Sequence, residues 1–74
     1  MSPEQSRAAR GWMGITQLDL AERANVSLST VRDFEKGRRS PIANNLVAIE
    51  RVFREAGIEF LFDNEGTAVG IAVR

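Results

Sequence analysis

The chain has 74 residues, of which 43% are hydrophobic and 27% charged, and its formal net charge is zero. This length allows one domain with one small core, and the composition is too apolar for a disordered chain. With neither cysteine nor histidine, the chain has no disulfide, Cys/His zinc site, thiol nucleophile or histidine-based triad, so we expect no cofactor, no metal and no enzyme.

The N-terminal segment is polar and lacks the apolar stretch of a secretory signal, and no apolar run approaches the roughly 20 residues needed to cross a bilayer. A cytoplasmic protein is expected. Ser2 can cap a helix, Pro3 suits its first position, and Gln5 completes a capping box. A first helix is predicted from about Pro3 to Trp12, ended by Gly14.

Two more helix-start signals follow at short intervals. Thr16 caps a second helix predicted over Gln17–Ala24, and Asn25 suits the left-handed residue that ends it. Ser27 caps a third helix predicted over Leu28–Glu35 and ended near residue 37. Two short helices joined by a tight turn form a helix-turn-helix unit, here spanning about residues 17–35.

The rest of the chain changes from helical to strand periodicity. After a polar loop over residues 37–41, apolar residues at helical spacing predict a fourth helix from about Ala43 to Ala56, stopped by Gly57. Residues 58–62, a turn over 63–66 and residues 67–73 then predict a β-hairpin. Alternation places Ile58, Phe60 and Phe62 on one face of the first strand, and Thr67, Val69, Ile71 and Val73 on one face of the second.

Charge is distributed unevenly along this neutral chain. Up to Pro41 there are seven basic and five acidic residues, whereas from Ile42 onward there are three basic and five acidic ones. Four of the basic residues fall between Arg32 and Arg39. A local basic patch able to meet nucleic acid is therefore expected there.

The stretch from Thr16 to Ser27, with the one from Thr30 to Gly37, resembles the DNA-binding core of the Cro and phage-repressor (XRE-like) family. Cap, glutamine, small residue, turn and terminal Glu-x-Gly all occur in register. The resemblance covers about residues 2–56 and leaves the hairpin outside it. The resemblance implies a prokaryotic, phage or mobile-element transcription regulator such as a repressor. Its fold would be a mostly α, four-helix Cro/repressor-like bundle (residues 1–57), with the antiparallel hairpin (residues 58–74) in the same compact domain, α+β overall.

The resemblance further implies that the third helix lies in the major groove of double-stranded DNA while the second crosses the backbone. Arg32 could donate two hydrogen bonds to guanine, Leu28 could touch a thymine methyl or a protein, and Asp33 could accept from cytosine N4. By position, the base-reading residues would be Ser27, Leu28, Ser29, Arg32 and Asp33.

Other positions would contact phosphate or hold the domain together. Gln17 matches a family position that contacts phosphate or supports the third helix, and Arg38 and Arg39 lie where phosphate contacts orient the domain. Arg10 and Glu35 match a structural ion pair. The phosphate-contact candidates are thus Thr16, Gln17, Arg38 and Arg39.

An isolated two-stranded hairpin is marginally stable and has unpaired edges. It could simply cover the core, but we expect a homodimer whose recognition helices meet half-sites about 34 Å apart in an inverted-repeat operator. The interface candidates are Phe60, Phe62, Val69, Ile71 and Val73.

A competing interpretation gives the same fold a protein partner. Zero net charge, Leu28, Asp33 and the apolar hairpin also suit an antiactivator that sequesters a transcription factor, or the antitoxin of a toxin pair. Such a role could coexist with DNA binding.

Overall fold

The computed structural model describes all 74 residues. Four helices are followed by one antiparallel two-stranded sheet, which confirms the predicted α+β fold. None of the helices has the length and apolarity that crossing a lipid bilayer requires. The elements are α1 (Pro3–Met13), α2 (Gln17–Ala24), α3 (Leu28–Glu35), α4 (Ala43–Glu55), β1 (Ile58–Phe62) and β2 (Ala68–Val73).

The first three helices begin where the sequence predicts, because each has a hydroxyl cap. Ser2 accepts from the backbone N–H of Gln5, whose side chain accepts from the Ser2 N–H in return. Thr16 makes the same reciprocal pair with Asp19. These bonds satisfy N–H groups that have no partner inside the helix.

The same three helices end at a left-handed residue: Gly14 (φ 69°), Asn25 (φ 56°) and Gly37 (φ 73°). After α3, the N–H of Arg38 donates back to the carbonyl of Asp33 at 2.9 Å. Such a bond closes the last turn and reverses the chain direction, so short helices pack against one another across tight turns.

Two helix ends differ from the prediction by one residue. Helix α1 continues through Met13, one residue past Trp12, because its terminator is the left-handed Gly14 itself. Helix α4 stops at Glu55, since the N–H of Ala56 donates to the carbonyl three residues back and leaves the α-helical pattern.

The hairpin contains a β-bulge that the alternation pattern did not predict. Phe60 lies opposite Ile71, whereas Phe62 lies opposite Ala68, so Val69 is an extra residue in β2. Because a bulge interrupts the two-residue period, the predicted common face through Val69 is wrong, and this residue is 62% exposed. Strand β2 also starts one residue later than predicted, since the carbonyl of Thr67 closes the turn.

All four helices and the hairpin contribute to one core. Val31 and Phe34 of α3 are buried. Phe53 of α4 meets Phe60 of β1 edge to face, with ring centroids 6.0 Å apart, so the hairpin packs on the helices. The central cluster consists of Ala9, Ile15, Leu20, Ala21, Ala24, Val31, Ile49, Phe53 and Ile58.

Candidate nucleic-acid interface

The last residue of α3 is a buried carboxylate that ties this helix to α1. Glu35 is 1% exposed. Arg10 of α1 reaches it with two nitrogens, Nη2 at 2.7 Å from Oε1 and Nε at 2.9 Å from Oε2. A third nitrogen of the same guanidinium donates to the carbonyl of Ile15 at 3.2 Å. This forked pairing fixes orientation as well as distance.

Other donors complete the environment of the carboxylate. The Ser6 hydroxyl donates to Oε2 at 2.6 Å, and the Gln17 amide donates to Oε1 at 3.1 Å. Arg7 donates to the backbone carbonyl of Glu35. Helices α1 and α2 thus both hold the C-terminal end of α3, which is too short to be stable alone.

This environment keeps the carboxylate ionised. Burial alone would raise the pKa of Glu35, but the hydrogen bonds from Arg10, Ser6 and Gln17, with the Arg10 charge, outweigh burial and hold that pKa below its ordinary value. The hydrogen bond to Glu35 raises the pKa of Arg10. The pair is therefore charged throughout the physiological range.

Three arginines of α3 and the loop that follows it are exposed cations. Arg32 of α3 is exposed, as are Arg38 and Arg39 in the following loop. None of the three takes part in an ion pair of the chain. Their charges are therefore available to a ligand.

Of the other base-reading candidates, Ser29 is exposed, and its hydroxyl lies 3.1 Å from that of Ser27. The Ser27 hydroxyl accepts from the N–H of Thr30 and so serves mainly as the cap. Leu28 is half-buried and packs against the core, which ties much of its side chain to the fold.

Asp33 lies beside the loop that follows α3. It is half-buried and lines a cleft of about 200 Å³ together with Thr30, Arg39 and Asn45. The cleft separates α3 from the start of α4. It brings a predicted base-reading residue close to a predicted phosphate-contact residue.

The phosphate-contact candidates of α2 have partners within the domain. The Thr16 hydroxyl caps α2, and the Gln17 amide donates to Glu35. The hydrogen bond from the Thr16 backbone lowers the pKa of Asp19, which is fully exposed. Thr16 itself remains exposed and Gln17 half-exposed at the start of α2.

The hairpin residues proposed for a dimer interface divide into two groups. Phe60 and Ile71 are half-buried and pack against the core. Phe62, Val69 and Val73 are 50%, 62% and 39% exposed. The second group is the more exposed of the two.

Two buried polar residues of α1 have roles that sequence reasoning missed. Ser6 holds Glu35, and Gln5, noted only for its capping box, donates from Nε2 to the carbonyls of Leu61 at 2.9 Å and Gly70 at 3.0 Å. The amide of Gln5 thereby joins α1 to both strands. The helical spacing of Gln5 with the buried Ala9 was the available signal, since residues four apart share a face.

Comparison with known proteins agrees with this architecture. A helix-turn-helix family model matches residues 7–60, which reaches past residue 56 into β1. An uncharacterized HTH-type transcriptional regulator of Methanothermobacter thermautotrophicus is 38% identical over 65 residues. The match covers 81% of this chain and 90% of that protein.

Proposed function

Because the chain belongs to the Cro and phage-repressor (XRE-like) helix-turn-helix family of DNA-binding transcriptional regulators, we propose that α3 enters the major groove of double-stranded DNA and reads base edges there. The observation that carries this proposal is the two-sidedness of α3. Its inner side ends in the buried Glu35, whereas Arg32 is exposed and unpaired. Such a helix is held in place by the contacts of Glu35, while the Arg32 guanidinium is free to donate two parallel hydrogen bonds.

Arg32 is the principal reader in this proposal, with guanine O6 and N7 as its acceptors. Ser29 meets a base edge or a phosphate from the first turn of α3. Ser27, Leu28 and Asp33 border the same surface; their intramolecular contacts favour a supporting role, with Asp33 able to accept from cytosine N4.

Phosphate contacts orient the domain without reading sequence. Arg38 and Arg39 supply them after α3, and Thr16 and Gln17 supply them at the start of α2. The Gln17 amide nitrogen carries two N–H groups, and one of them donates to Glu35, so the second can donate to a phosphate. Exposed backbone N–H groups in the first turn of α2 are further phosphate donors.

The proposed regulator is a cytoplasmic homodimer joined through the hairpin, with an inverted-repeat operator as its target. Two copies double the phosphate contacts and set the spacing of the half-sites. Membership in a family of regulators favours a non-enzymatic role, and repression through occupancy of its own promoter is the simplest form of control.

The test is binding to the intergenic DNA flanking the gene, measured at two salt concentrations. Arg32→Ala should lose about 1–3 kcal/mol of selective binding, and Arg38→Ala should weaken all sequences alike and lower the salt slope by about 1. Arg51→Ala, which removes an exposed arginine of α4, is the matched control. Unchanged selectivity in Arg32→Ala would refute the proposed reading role.

A second candidate function is the capture of a protein partner, a transcription factor or a toxin. It is favoured by two exposed apolar side chains on the first two helices, Trp12 at 66% and Leu18 at 49%. A parent protein without salt-sensitive, selective DNA binding would favour this function. In a pull-down, a partner that is retained by the parent protein but not by Trp12→Ala would then support it.

A further inference from the structure

The cleft between α3 and the start of α4 holds one negative and one positive side chain. Its volume is about 200 Å³, and both Asp33 of α3 and Arg39 of the following loop line it. The other polar residues of its wall are Ser29, Thr30, Ser40 and Asn45. A candidate base-reading residue and a candidate phosphate-contact residue therefore share one small polar space.

The backbone of the loop after α3 brings Arg39 back to Asp33. The carbonyl of Asp33 accepts from the N–H of Arg38 at 2.9 Å and from the N–H of Arg39 at 3.4 Å. Gly37 makes this reversal possible, because its φ of 73° lies in the left-handed region that glycine adopts without strain. The side chains of Asp33 and Arg39 thus start from adjacent points of the backbone.

Neither of the two charges has an ionic partner within the chain. Asp33 is half-buried, Arg39 is exposed, and no ion pair includes either of them. Lys36, three residues after Asp33, does not line the cleft. Arg32 precedes Asp33 directly, and consecutive residues of a helix do not face each other. Arg39 is therefore the cation that the cleft offers to Asp33.

Arg39 has two competing electrostatic attractions when DNA is present. One is the Asp33 carboxylate in the cleft, and the other is a DNA phosphate outside it. Charges closer than about 10 Å are not fully screened at about 0.1 M salt, and partly buried charges are screened least. A guanidinium forms forked hydrogen bonds with a carboxylate or with a phosphate. Turning toward Asp33 therefore weakens the contact of Arg39 with DNA.

The Asp33 carboxylate also has two alternative partners. In the major groove, the N4 amino group of cytosine can donate to it, whereas guanine O6 and N7 and thymine O4 are acceptors that repel it. A base pair that presents an amino group can therefore replace Arg39 as the partner of Asp33. A base pair that presents acceptors leaves Arg39 as the only favourable partner.

We propose that Asp33 is a positioning residue for Arg39 and thereby determines specificity. On DNA without a suitable amino group, Asp33 holds Arg39 in the cleft, and the phosphate contact of Arg39 is not made. On the operator, the amino group takes over Asp33, and Arg39 turns outward to a phosphate. This inference rests on the proposed reading role of α3. It makes the phosphate contact of Arg39 depend on base sequence, whereas a phosphate contact by itself does not.

The test is a double-mutant cycle on two duplexes, the intergenic DNA flanking the gene and a scrambled duplex of the same composition. The measured quantity is the slope of log affinity against log salt concentration, which changes by about 0.9 for each phosphate contact. On the scrambled duplex, Asp33→Asn should steepen the slope by about 0.9, because it releases Arg39. In an Arg39→Ala background, the same substitution should leave the slope unchanged. Glu22→Gln, which removes an exposed carboxylate of α2, should have equal effects in both backgrounds.

The neighbouring arginine provides a matched control for Arg39. Arg39→Ala should reduce the slope by about 0.9 on the intergenic duplex and leave it nearly unchanged on the scrambled one. Arg38→Ala should reduce the slope on both duplexes alike, because Arg38 does not line the cleft.

Three results would overturn the inference. They are an unchanged slope in Asp33→Asn on the scrambled duplex, a change that persists in the Arg39→Ala background, and an equal effect of Arg39→Ala on the two duplexes. Arg32→Ala separates this inference from base reading. Selectivity lost in Arg32→Ala without coupling between Asp33 and Arg39 would refute only the coupling. Coupling with selectivity indifferent to Arg32→Ala would refute only the reading role of Arg32.

Discussion

The side-chain amide of Gln17, the first residue of α2, donates to the carboxylate of Glu35, the last residue of α3, with Nε2 and Oε1 3.1 Å apart. This bond links the two ends of the helix-turn-helix unit, and Arg10 and Ser6 hold the same carboxylate from α1. The orientation of the proposed reading helix therefore depends on residues of the two helices that precede it.

Loss of the Gln17 amide should weaken the domain directly. In Gln17→Leu the Glu35 carboxylate loses one charge-assisted hydrogen bond, worth about 1.5 kcal/mol of unfolding free energy. Urea denaturation at neutral pH measures this. Asn44→Leu, an exposed amide on α4, should change the free energy of unfolding by less than about 0.5 kcal/mol; equal effects of the two substitutions would contradict the assigned role of Gln17.

Removal of the guanidinium should have a larger effect. Arg10→Met leaves Glu35 buried without its main partner, and we expect the free energy of unfolding to fall by about 3–5 kcal/mol. A domain of this size has little more stability than that, so far-ultraviolet circular dichroism should show an early thermal transition. Arg51→Met, the same change at an exposed position, should melt like the parent. A small loss in Arg10→Met would mean that the carboxylate is less dependent on this pair than its burial indicates.

The lowered pKa of Glu35 predicts acid sensitivity. Below the carboxyl pKa of the unfolded chain, the unfolded state binds more protons than the folded one, so stability falls as pH falls. The contribution of Glu35 is complete above that pKa and is lost as pH drops through the lower, folded value. Asp19, whose pKa is also lowered, adds to the same slope.

Urea midpoints between about pH 5 and pH 2 measure this dependence. Glu35→Gln should flatten the dependence of the urea midpoint on pH, because it removes the buried carboxylate. Asp19→Asn should remove only the part of this dependence that is due to the exposed Asp19 carboxylate. A parental slope retained in Glu35→Gln would show that other carboxylates determine the acid transition.

The attachment of the hairpin can be tested at Gln5. Glutamate retains the oxygen that accepts from the Ser2 N–H, but it replaces the nitrogen that donates to Leu61 and Gly70. Gln5→Glu should therefore lose about 2 kcal/mol of stability while its capping box persists. Amide hydrogen exchange should show faster opening of β1 and β2 than of α2. Uniform protection across the chain would contradict a specific loss of the hairpin contact.

Local chemistry explains why so much of the secondary structure could be predicted from the sequence. Hydroxyl residues at 2, 16 and 27 satisfy free N–H groups, and Gly14, Asn25 and Gly37 accept the left-handed conformation that ends a helix. These signals act within a few residues. For that reason helix starts were predicted correctly and two helix ends were off by one residue.

The candidate site was only partly predictable. The motif identified Arg32, Arg38 and Arg39 as surface cations, and all three are exposed. The same motif did not distinguish Leu28, which packs on the core, from Ser29, which is exposed. Burial depends on what the neighbouring helices cover, and a single helix does not contain that information.

The sequence by itself determined the caps, the turns and the periods of the helices and strands, because each depends on the conformation and hydrogen bonding of adjacent residues. The tertiary structure decided the partners across the chain. Gln5 meets the carbonyl of Gly70, Ser6 meets Glu35, and the bulge at Val69 leaves the edge of β1 as the regular one. These contacts join residues far apart in the chain, so they exist only once the helices have packed and excluded water from the groups they bring together.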